Sequence, residues 1–244
     1  MKKMEVNYKQ SESVLRMLNY SSCDIKTILD TLKKGNFSYM KCPKESNLWN
    51  ETTCSGIDVP ALWIPKTETE KSKKTIFLLA QDPLRNENYW DICEDESVRC
   101  NKRSHVIIGT PYALHIKDEQ RKRLNLNIGI YRKLIEGMVE GELQCQVYCT
   151  DVFKYYPNDK RISDIDIKML KEEIKKVRPN LFLCMGKSAQ KAIDRIKGET
   201  VLSEDSIIRT PHFRARADSW KNITKKYDDD SKVSSIIELV KTRI

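Results

Sequence analysis

TIFLLAQDPLRNENYW, residues Thr75 to Trp90, opens on a short apolar run and breaks off at once in Gln81-Asp82-Pro83. Thr75 to Leu79 is too short for a buried helix and rich in β-formers, so it reads as a strand covered on both faces. Proline forbids continuation of the ladder, which sets the acid at the strand's carboxyl end. Two readings fit that acid. It is turn chemistry, for which Asp-Pro is common, or it is a functional carboxylate where α/β sheets place their ligands.

Working outward, the chain alternates. A polar loop reaches Arg103, then HVIIGTPYALHI is strand-like. IYRKLIEGMVEG, Ile130 to Gly141, has helical spacing and a glycine stop, and QVYCTDVFKYY, Gln146 to Tyr156, is a strand running into PNDKR. SDIDIKMLKEEIKKVRP is a capped amphipathic helix. Asn180 to Met185 is a further apolar strand, GKSAQKAIDRIKG a helix, IIRTPHF a strand candidate, and a last helix begins near Ser231. Strands alternating with helices argue a parallel sheet covered on both faces. Upstream, Ser21 to Gly35 carries helix caps at both ends, and residues 37–74 read as irregular, with KTETEKSKK as a solvated loop.

Composition narrows the classes. The 244 residues suffice for a sizeable core, and 32% of them are charged, with a formal net charge of +9. Such a balance suits a phosphate-bearing partner, and equally a lysine-rich surface with no ligand. Met1 to Lys9 is polar and no apolar run nears the length of a membrane span, so an intracellular, cytoplasmic protein with no membrane partner is expected. Eight cysteines occur with no CxxC spacing beside only three histidines, which leaves a metal or iron–sulfur site unsupported and predicts free thiols.

Four polar stations fall where successive strands end or turn: Gln81-Asp82, Gly109-x-x-Tyr112, Asp151 and His212. Singly each has a plain structural reading, as a cap, core packing, a loop cap and a satisfied histidine. Placed at the ends of one parallel sheet, they would converge on one crevice.

Together they resemble the uracil-DNA glycosylase superfamily. Ala80-Gln81-Asp82-Pro83-Leu84 resembles its GQDPY motif, and Gly109-Thr110-Pro111-Tyr112 its G-x-P-F segment. Tyr148 to Lys154, with Tyr156-Pro157 and Arg161, resembles the Y-I-T-N-V-V-K segment of the iron–sulfur branch. Met185-Gly186-Lys187-Ser188-Ala189 resembles its strand-to-helix turn, and His212 with Trp220 the second motif. The resemblance implies a three-layer α/β/α sandwich around a central, mainly parallel four-stranded sheet. It implies one domain over 1–244, with 75–225 as its core and 1–74 as a helical and irregular extension. It further implies a monomer acting on single- or double-stranded DNA, hydrolysing an N-glycosidic bond without cofactor or metal.

Roles follow residue by residue. Asp82 would stabilise the cationic sugar and orient water, and His212 would donate to the departing base. Gln81, Leu84, Tyr112 and Asp151 would bind the base, Tyr112 by stacking on it out of the helix. Lys187, Ser188, Arg209, Phe213, Arg214 and Arg216 would contact DNA, Phe213 either as a wedge in the duplex or packed under its loop. The departures are informative. Asp151 stands where the family has asparagine, so an ionised side chain would only accept, unless burial protonates it. Leu84 replaces a tyrosine that crowds 5-substituents, and Tyr155 stands where a cluster cysteine would be. A glycosylase-fold protein that binds DNA or a modified nucleotide without excision is the alternative.

Overall fold

The structure, a computed structural model, describes residues 4–42, 55–67, 71–81, 88–124, 129–154, 161–199 and 202–244. Among the described residues the strands are β1 (Met4–Asn7), β2 (Ser38–Lys41), β3 (Ser55–Asp58), β4 (Ala61–Pro65), β5 (Thr75–Ala80), β6 (His105–Gly109), β7 (Gln146–Asp151), β8 (Leu181–Met185) and β9 (Ile207–Thr210). The main sheet runs β1-β4-β7-β5-β8-β9. Its β7-β5-β8-β9 portion is parallel throughout. This is the central parallel sheet of the expected sandwich, with helices on both faces.

The run TIFLLA occupies the middle because every one of its six residues is buried. Side chains alternate between faces. Ile76 and Leu78 join one core with Val147, Leu183 and the helical residues Leu134 and Met138. Phe77 and Leu79 join the other with Tyr148, Phe182, Leu170 and Ile193. On the first face, helix Gly129–Val139 packs against the last helix, Asp229–Lys241. They approach so closely that a Cβ on Gly137 would collide with Ile237 Cδ1. On the second face lie Asp164–Val177 and Lys187–Glu199. The former starts in a full capping box between Ser163 and Asp166, as its sequence predicts.

Two expectations are corrected. Residues 1–74 do contain the helices Ser11–Met17 and Ser22–Lys33, but they also supply four strands. β4 pairs antiparallel with β7 and β1 with β4, so the sheet has six strands. Without them β7 would present an open edge. Second, β6 is not in the main sheet. β5 is already flanked by β7 and β8, and β9 takes the outer side of β8. β6 instead centres a three-stranded sheet, antiparallel to β2 and parallel to β3.

Among the described residues no helix is long and apolar enough to cross a membrane.

Candidate functional site

The carboxyl ends of β5, β7 and β9 meet at one crevice. Ala80 lies opposite Asp151 in the β5–β7 register. The pairing zips beyond the strands, with Val152 N–H donating to the Ala80 carbonyl (3.0 Å) and Phe153 N–H to the Gln81 carbonyl (3.2 Å). Gln81 and Asp151 are thereby fixed side by side, Asp151 only 2% exposed. Asp82 and Leu84 lie outside the described residues, as does Tyr155.

His212 follows β9. Gly186, at φ +85°, turns β8 into its helix and donates its N–H to the Thr210 carbonyl (2.8 Å). A Cβ at Gly186 would sit 3.2 Å from His212 Cβ, so glycine answers both the backbone and the space. Nδ1 of His212 accepts from the Arg214 N–H (3.1 Å), and Nε2 lies 2.9 Å from the Tyr131 hydroxyl. An acceptor at Nδ1 puts the proton of the neutral ring on Nε2. Burial, and then the Arg214 charge, lower the pKa of His212, which favours that neutral form. The ring is thus a poised Nε2–H donor.

Tyr112 arrives from the second sheet, after β6, in a left-handed conformation (φ 60°, ψ 14°). Ala113 follows at φ 51°. Two such residues in succession are costly and persist only where surroundings impose them. Thr110 anchors the turn: its hydroxyl lies 2.9 Å from His115 Nδ1, and its carbonyl accepts from the Ala113 N–H (2.8 Å). Burial pushes His115 down to about 3, so it stays neutral. The Tyr112 ring is set parallel to that of Tyr131, centroids 3.7 Å apart and planes 12° apart.

The resulting crevice, of about 300 Å³, is lined by Gln81, Tyr112, Tyr131, Asp151, His212 and Arg214 among others. An aromatic platform, a carboxylate and a neutral imidazole donor face one space the size of a small heterocycle's pocket.

The profile of the Uracil DNA glycosylase superfamily matches residues 71–233. The chain belongs to the uracil DNA glycosylase superfamily. No match was found among curated proteins. Membership supports a DNA glycosylase type of function and DNA as a partner.

Of the stations expected from the sequence, Gln81, Tyr112, Asp151 and His212 are brought together. The residues expected on DNA are divided. Lys187, Arg214 and Arg216 are exposed and Ser188 half-buried, with Lys187 and Ser188 on the first turn of their helix. Arg209 points elsewhere: its guanidinium pairs with Asp194 (2.6 Å) and with Glu204. Phe213 is 4% exposed, edge-on to Tyr131 and stacked on Trp220, so it has its packing role and presents no wedge here.

Two residues at or behind this crevice have no signal in the sequence. Lys232 is buried in the last helix, donates to the Phe213 carbonyl (3.2 Å) and lies 3.7 Å above the Tyr227 ring. With Trp220 Nε1–H on the His212 carbonyl (3.3 Å), it pins the histidine loop by its backbone. Tyr131 stands four residues before Ile135 and seven before Met138, both buried. It reads as one more member of that helix's apolar face. Among the described residues no group of His, Cys, Asp and Glu is arranged to hold a metal ion.

Proposed function

We propose that the protein is a DNA glycosylase that hydrolyses the N-glycosidic bond of uracil or a related modified base in DNA. The observation that carries this reading is the convergence of Gln81, Tyr112, Asp151 and His212 on one crevice. A base taken out of the helix stacks on Tyr112. As the C–N bond lengthens, positive charge grows on the sugar and negative charge on the base. His212 Nε2–H donates to the base oxygen on which that charge collects, the preorganised stabilisation that lowers such barriers most. Asp82, which follows Gln81 in the sequence, supplies the carboxylate that stabilises the sugar cation and orients water. Water adds to the sugar carbon, and its proton leaves to solvent or to the departing base. Lys187, Arg214 and Arg216 line up with the phosphates that flank the base.

The test is a cleavage assay on oligonucleotides with single uracil, hypoxanthine, mismatched thymine, 5-substituted pyrimidine or cytosine sites, read as alkali-sensitive breaks. Breaks at one base that vanish in Asp82→Asn are expected. No breaks anywhere, with salt-sensitive DNA binding retained, would favour a protein that binds without excising.

Asp151 sets the preference. An ionised carboxylate only accepts, so it suits a base edge bearing an amino group and opposes the 4-carbonyl of uracil. Asp151→Asn restores a donor and should raise uracil excision by about tenfold or more, since a mismatched buried polar contact costs on the order of 1–3 kcal/mol. An unchanged ratio of uracil to cytosine excision would remove Asp151 from base reading.

A further inference from the structure

Tyr131 occupies the crevice in a way that the roles above leave unused. Its ring covers Tyr112 at 3.7 Å and 12°, the contact a stacked base would make. Its hydroxyl takes the Nε2 of His212 at 2.9 Å, the contact a base oxygen would make. Nδ1 is already committed to the Arg214 N–H, so Nε2 is the one nitrogen His212 has to offer. The edge of Phe213 closes on the same ring at 4.9 Å and 80°. Asp151 is near enough for its charge to help hold the Tyr131 hydroxyl protonated, after burial. Platform and donor are thus both engaged by one side chain.

We propose that Tyr131 is a stand-in for the base: it fills the base position in the DNA-free protein and must swing out before a base can enter. This inference rests on the glycosylase reading of the crevice and adds a gate to it. A base cannot stack on Tyr112 and accept from His212 Nε2 while Tyr131 does both. The side chain is half-buried and sits on the first turn of its helix, two residues after Gly129. The exchange acts as a threshold. A base displaces Tyr131 only if it replaces both the stack and the hydrogen bond, so bases deficient in either are rejected before the bond-breaking step. In the closed state the ring also shields the His212 donor from water.

The thermodynamics fix the sign of the test. Binding to a protein whose open form is a minor state is weakened by the open fraction. Removing the plug should therefore tighten binding of DNA whose base enters the pocket, and leave DNA with no base to insert unaffected. Dissociation constants would be measured for oligonucleotides bearing uracil, hypoxanthine or unpaired cytosine, each against a tetrahydrofuran abasic analogue, with the unsubstituted protein, Tyr131→Ala and Tyr131→Phe. Tyr131→Phe keeps the stack and loses only the hydroxyl. At least one base site should bind Tyr131→Ala about five- to tenfold more tightly, with a smaller gain in Tyr131→Phe, while abasic DNA changes less than twofold.

A second readout needs no DNA. Solvent exchange of the His212 Nε2–H, followed by 15N-resolved NMR against the ring N–H groups of His105 and His115, should quicken about fivefold in Tyr131→Ala, because Nε2–H loses its acceptor. Equal or weaker binding of every base site by Tyr131→Ala, or an unchanged His212 Nε2–H exchange rate in a folded variant, would overturn the gate and make Tyr131 part of the stacking platform. Both readouts are independent of excision, so absence of cleavage by the unsubstituted protein would bear on the glycosylase reading alone.

Discussion

His212→Ala should lower the single-turnover excision rate by about 10²–10³-fold, the usual cost of deleting one donor to a developing anion, and change DNA affinity by no more than a few-fold. The separation of the two effects follows from how the loop is held. Trp220 and Lys232 grip the carbonyls of His212 and Phe213, not the imidazole, so the loop survives loss of the ring. A loss under tenfold would show that the anion is stabilised elsewhere.

The pH profile carries the same argument. Nδ1 accepts a backbone N–H, so protonating the ring would set two donors against each other at Arg214. The pKa of His212 is lowered by burial first and Arg214 second. The rate should therefore hold as pH falls through the ordinary imidazole value of about 6.5 and drop only below it. The linkage has the matching sign. The unfolded chain takes up the proton first, so this group costs stability as pH falls below about 6.5, and the penalty stops growing once the folded value is passed. A profile breaking above 6.5 would contradict the assignment.

The largest stability effect is expected at Lys154 and Glu173. Both side chains are buried, at 0% and 1% exposure, and their charged atoms lie 2.6 Å apart. The Glu173 carboxylate also accepts from the hydroxyls of Thr150 (2.7 Å) and Tyr148 (3.0 Å), and Lys154 donates to Thr150. Taking either charge out of water is expensive, and its partner offsets that cost. Lys154→Met leaves a buried carboxylate with hydroxyl donors alone and should cost about 3–5 kcal/mol, read as a lower urea midpoint at constant slope. The Lys154→Met/Glu173→Leu double variant should recover most of the loss, because an apolar pair of similar volume is often as stable as the ion pair. A single-variant cost below about 1 kcal/mol would mean that water reaches the pair. The pair also matters to the crevice. Thr150 and Lys154 flank Asp151 in the chain, so the double variant tests whether base discrimination survives when the fold does but the anchor does not.

The parts of this architecture legible in the sequence are those with local causes. IFLLA is apolar throughout because both its faces are covered, and Ser163 with Asp166 announces a helix start by side-chain chemistry alone. Gly186 could be placed at a strand-to-helix turn from its neighbours. What escaped has non-local causes. β2, β3 and β4 are four or five residues long and gain their identity from partners far along the chain. The membership of β6 depends on which edges of β5 and β8 other strands had already taken. Lys232, in an Asp-Asp-Ser-Lys run, looks like surface charge until the Phe213 carbonyl is found above it. Tyr131 fits a helical stripe so well that only the three-dimensional position of Tyr112 sets it apart.

The β4–β7 pairing has a consequence for how the molecule is made. Ala61–Trp63 emerges from the ribosome long before its partners Val147–Cys149, and loop closure of that span must come before the pairing rewards it. Until then β4 has only β1 beside it, and the edge that will take β7 stays open. The same dependence runs in reverse. A fragment cut at residue 71, where the superfamily match begins, would lack β1 and β4 and bare the outer side of β7. A bare strand edge solicits pairing from another copy, so the first 70 residues act as the built-in guard that keeps this sheet from growing between molecules.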